Sequence, residues 1–200
     1  MKIVDNDCDK KSFWQAVEPK HADEIMAILD PFKAPDLSFD LKNPAGNLIE
    51  SARRAARWAS VHDVIIVRPE ELPNKYPNNI WYPVSVRLLS IYAHQIEDSL
   101  GHWLNQNFSK SQFVSDLMEK VRISVMDGFG SEKWETAWDA FQVDFPRSIA
   151  NGLEASLFYA CGTTITGINS DFEPLLSIWR SGNLPLGFDQ KGNFGVLCSN

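Results

Sequence analysis

His94, Asp98 and His102 stand four residues apart along a stretch whose apolar periodicity is helical. A step of four residues advances a helical position by only about 40°, so the three share one stripe. Imidazole and carboxylate are both zinc ligands. Three ligands spread along one straight helix nevertheless converge poorly, because the outer pair would lie about 12 Å apart along the axis. One ion could take two of them, with further ligands from elsewhere. The spacing fits a solvated polar face with a His–Asp pair better than a metal site. With Leu89 taken as the core direction, the three point away from the core. No cofactor is expected.

Arg53, Arg54 and Arg57 form a basic patch, with Arg53 and Arg57 neighbours at four residues' spacing. Arginine recognises carboxylate or phosphate in a bidentate manner, so the patch is a candidate anion site. In an acidic chain, internal pairing or simple solvation is the simpler expectation. Gly128-Phe129-Gly130-Ser131 precedes an expected helix N-terminus, where backbone N–H groups can hold an anion. No Lys-Ser or Lys-Thr pair follows, so a plain turn with Ser131 as helix cap is expected. Cys161 falls near an expected helix C-terminus before Gly162, where the helix dipole disfavours thiolate, and it reads as a small core residue. Cys198 could end a strand. Neither has a sequence-level partner for nucleophilic catalysis, and the GxSxG and HExxH patterns are absent.

Glu132, Glu135 and Asp139 share one face of the helix expected at 131–145, opposite Trp134, Trp138, Phe141 and Phe145. The aromatic face reads as core and the acidic face as solvent-facing, which makes it the natural place for a basic partner to dock. The formal net charge is −7, and five of the seven excess negative charges fall after residue 80. Such a balance disfavours nucleic acid as a partner. Seven Trp and twelve Phe supply large apolar area for a core or an interface.

The remaining composition describes an ordinary globular protein, 44% hydrophobic and 22% charged, which excludes disorder as the default. Three cysteines without close spacing indicate reduced thiols rather than a disulfide framework. The opening MKIVDNDCDKK carries acids before any apolar run, unlike a secretory signal. No stretch approaches the roughly 20 apolar residues of a membrane span, so a cytoplasmic location without membrane contact is expected.

These side chains need elements to position them. Ser12 with Gln15 reads as a capping box. Pro19 opens a helix with Ala22, Ile25, Met26 and Leu29 as its stripe, and 31–42 reads as a loop. Asn43-Pro44 starts a helix with Leu48, Ala52, Ala55 and Ala59 on one face. Val64 to Val67 is a β-branched run and an expected strand. The prolines of 68–83 mark an irregular segment. A long helix over 83–107 follows, with Val86, Leu89, Ala93, Ile96, Leu100 and Trp103 as its core stripe, although Val84, Leu88 and Ile91 on its other side suggest either burial all round at that end or contact with a partner there. The next helix, 111–126, carries Val114, Leu117, Val121 and Val125, and Asp127–Gly130 reads as a turn. Pro146 starts a helix ending near Gly162, with Ile149, Leu153 and Leu157 inward. A last helix over 171–181 ends at Gly182. Leu184–Phe188, a four-residue loop closing at Gly192, and 193–197 read as a β-hairpin.

The expected fold is mainly α: one domain over 1–200 in which about six helices surround the 83–107 helix, with a short strand and a C-terminal hairpin that could pair with it. Residues 171–200 could form a small helix–hairpin module. Two function classes follow. The first is a non-catalytic acidic interaction protein, a binding, immunity or accessory factor engaging a protein partner. The second is an enzyme or small-ligand or metal-binding protein with a polar site around His94, Asp98 and His102.

Overall fold

A computed structural model describes residues 19–35, 37–39, 63–68, 71, 82–96, 108, 110–129 and 145–198. Among them are five α-helices: α1 (Pro19–Leu29), α2 (Val84–Ile96), α3 (Gln112–Phe129), α4 (Phe145–Thr166) and α5 (Glu173–Arg180). The strands are β1 (Val64–Val67), β2 (Leu184–Phe188) and β3 (Phe194–Leu197). The protein is thus mostly helical with a small three-stranded sheet. The helices expected at 12–15, 43–62 and 131–145 lie outside the described residues, except that Phe145 is the first residue of α4, and the expected continuation of α2 beyond Ile96 lies outside them too.

Among the described residues, helix α4 rather than α2 is the hub. It packs against α1, α2, α3, α5 and β2. Every residue from Ser156 to Thr163 is buried, as a central helix requires, while nearer its start Arg147 is exposed and Asn151 and Glu154 on the same side are half-buried. Small residues make this possible. A Cβ placed on Gly152 would already touch Trp179 and Val84 at 3.5 Å, so α2 and α5 close onto α4 through that position. Gly162 does not end the helix, as punctuation alone suggests. The chain stays helical to Thr166, while Thr163, Thr164 and Thr166 each donate a side-chain hydrogen bond to a carbonyl of the preceding turn. Gly167 supplies the stop, at φ +69°. Its N–H donates to Thr164 O and that of Ile168 to Thr163 O, the six-to-one and five-to-two pairing of a Schellman motif.

Helix α3 buries Val114, Leu117, Val121 and Val125, as its periodicity predicts. It runs on through Asp127 and Gly128 to Phe129, where the sequence suggests a turn. A single glycine costs a helix only about 1 kcal/mol, so it does not break one held by neighbours. Helix α1 begins at Pro19 and buries Ile25 and Leu29, and a 3-10 turn at Asp30–Lys33 then buries Phe32. Lys33 hydrogen-bonds Asp30 at 3.1 Å and lies 5.5 Å from the Phe113 ring centre.

The C-terminal helix and hairpin are tightly specified. Helix α5 ends in a second Schellman motif: Gly182, at φ +81°, donates to Trp179 O, and Asn183 to Ile178 O. The sheet has the order β1-β3-β2. Strand β3 pairs antiparallel with β2 and parallel with β1, placing Val64 opposite Phe194 and Val67 opposite Leu197. The predicted strand at 64–67 and the hairpin therefore do meet. Within the hairpin loop the Asp189 carboxylate accepts hydrogen bonds from Lys191 N, Asn193 N and Asn193 Nδ2 at 2.8–2.9 Å. The buried residues of helices and sheet form one continuous cluster.

Candidate functional site

The most unusual surface among the described residues lies at the start of α2. Two backbone hydrogen bonds strap the residue ahead of the helix to the sheet: Tyr82 N donates to Phe188 O at 2.6 Å, and Phe188 N to Tyr82 O at 2.9 Å. The strap is possible because β2 bulges between Pro185 and Gly187. A Cβ on Gly187 would stand 2.1 Å from Tyr82 O, and its φ of +124° suits glycine alone. Pro83 then accepts from Arg87 N at 3.1 Å and opens the helix.

From this anchor α2 turns Val84, Leu88, Tyr92 and Ile96 into the core. The opposite positions, Val86 and Leu89, are 48% and 45% exposed, and Tyr82 is 52% exposed. This corrects the sequence reading, in which Val86 and Leu89 head the core stripe. Both candidate faces of the helix have apolar residues at helical spacing, and packing against α4 and β2 selects the other. Val86 and Leu89 are three residues apart and share a face, with Ala93 a turn further on. The only formally charged residue of Val84–Ile96 is Arg87, on another side. Isolated exposed hydrophobics are ordinary, but a grouped, uncharged set is a surface that another molecule can cover. Each half-exposed aliphatic forgoes about 1 kcal/mol that burial would supply.

His94 lies about 120° round the helix from Leu88 and is exposed. Asp98 and His102 lie outside the described residues, as do Arg53, Arg54 and Arg57, and Glu132, Glu135 and Asp139. Among the described residues, no three His, Cys, Asp or Glu side chains group as metal ligands would. Gly128 and Phe129 of the expected turn are helical, and Gly130 and Ser131 lie outside the described residues.

Asn183 Oδ1 apart, the buried side-chain polar atoms of the described residues are hydrogen-bonded within the fold. Trp179 Nε1 donates to Ser156 Oγ at 3.2 Å, and Ser156 Oγ donates to Gly152 O at 2.6 Å, linking α5 to α4. Tyr92 and Ser170 share a hydrogen bond at 2.9 Å beside the rings of Tyr159 and Phe172. Asn183 Nδ2 donates to Ser181 Oγ, whereas Asn183 Oδ1 is a buried acceptor without a hydrogen-bond partner among the described residues. Cys161 and Cys198 are buried, and burial pushes both thiols up to about 12. At neutral pH they are protonated, so neither is an activated nucleophile. Cys161 sits inside α4, not at its end, and Cys198 follows β3, donating its N–H to Val67 O.

From sequence alone Val86 and Leu89 read as core and Tyr82 falls in the irregular 68–83 segment, so neither pattern marks this surface as a site. The available signal was the surplus itself, since α2 has apolar residues on more sides than one core can use. No described helix is long and apolar enough to cross a membrane. No protein-family model, curated protein or solved structure matches this chain.

Proposed function

We propose that the protein is a non-catalytic acidic interaction protein, a single cytoplasmic domain that engages a basic protein partner through the apolar face of Tyr82, Val86 and Leu89. The observation that carries this reading is that Val86 and Leu89, on one face of α2, and Tyr82 just before it are each about half exposed, with Tyr82 hydrogen-bonded through its backbone to Phe188. The net charge of −7 supplies the complement. Long-range attraction brings a basic partner in, and the apolar contact holds it once docked. The acids at Glu132, Glu135 and Asp139 belong to the steering half of this reading.

The test is affinity capture from native lysate, comparing the wild-type chain with a Val86→Ser, Leu89→Ser double variant. The expected result is a basic protein retained by the wild type and lost from the folded variant. Equal retention by both, or elution of the wild type alone with a bound small molecule, overturns the reading. With the partner in hand, Glu135→Lys with Asp139→Lys should slow association at low salt, and the effect should fade as the screening length shrinks to about 10 Å near 0.1 M. An unchanged association rate removes these acids from the docking surface.

A further inference from the structure

No further inference is drawn: the strongest candidate, the exposed apolar face of Tyr82, Val86 and Leu89 where α2 begins, already carries the proposed function, and nothing in the structure shows what covers it.

Discussion

The hairpin and helix α2 are both rich in apolar residues, but they use them differently. Every strand residue of Leu184–Phe188 and Phe194–Leu197 is buried. Helix α2 buries one face and leaves Val86 and Leu89 half exposed on another. The hairpin is closed by local devices that permit one answer: a bulge at Gly187, a carboxylate-centred loop at Asp189 and pairing on both sides of β3. The helix is oriented only by what it packs against. Apolar sequence is therefore a demand for burial where backbone geometry fixes the direction, and a surplus where it does not.

The sharpest way to break this comparison is at the bulge. Gly187→Ala forces a Cβ to 2.1 Å from Tyr82 O at φ +124°, so the strap or the strand must move. A loss of about 4 kcal/mol or more is expected, read as a large fall in urea midpoint or as failure to fold. Gly167→Ala is the control. Its φ is +69° but nothing lies within 4 Å, so only the conformational cost of about 1 kcal/mol applies. Equal losses at the two sites would show that close approach plays no part.

Next comes the buried face of α2. Leu88→Ala removes a fully buried side chain and should cost about 3 kcal/mol by chemical denaturation. A cost below about 1 kcal/mol would mean that the face is misassigned. The α4–α5 link is weaker. Trp179→Phe keeps an apolar ring but leaves Ser156 Oγ without its donor, and about 2 kcal/mol should be lost. If the variant matches wild type, that hydrogen bond contributes nothing to holding α5 in place.

The thiols predict an effect that is absent at neutral pH and grows only above about pH 9. Burial raises Cys161 from an ordinary value of 9.0 to about 12. A proton held more firmly in the folded state stabilises the fold below the unfolded pKa, and that contribution is lost as pH rises through the folded value. Stability should therefore fall between about pH 9 and about pH 12, and Cys161→Ala should flatten the fall. An identical pH slope in the variant would assign the loss to other groups. The smallest expected effect per side chain is at the exposed face: Val86→Ser with Leu89→Ser should cost no more than about 1 kcal/mol each, because only about half of each side chain is buried. A loss near that of Leu88→Ala would place these residues in the core and remove the support for partner binding.

The sequence was most readable where one pattern had one interpretation. Val64–Val67 is a β-branched run with turn residues beyond it, and the strand has those bounds. In α3 Val114, Leu117, Val121 and Val125 make one stripe, and Ile123 on the far side, 46% exposed, sits among Glu119, Lys120 and Asp127, whose charges mark that side as outward. The hairpin followed from Gly192, whose φ of +79° closes the loop after Asp189. Reading failed where tertiary contact decides. The exposed and buried faces of α2 have similar periodicity, and only α4 and β2 distinguish them. Glycine misled twice, because Gly128 and Gly162 lie within helices whose neighbours hold them, while Gly167 and Gly182 provide real stops. The candidate surface was legible as a set of residues but not as a surface, since exposure is a property of the whole packing.

The parallel pairing of β1 with β3 also sets an order in time. Val64 meets Phe194 across about 130 residues of chain, and closing a loop of that length costs about 4 kcal/mol from its logarithmic dependence on length. The hairpin partners β2 and β3 are adjacent in sequence and close cheaply. A chain emerging from the ribosome cannot pair β1 with β3 until Phe194–Leu197 has been made. The hairpin is then the template on which β1 docks, and the sheet is completed by its most distant contact. Such long-range pairing slows folding relative to the local helices, and leaves the short apolar strand Val64–Val67 exposed to other chains for the longest interval of synthesis.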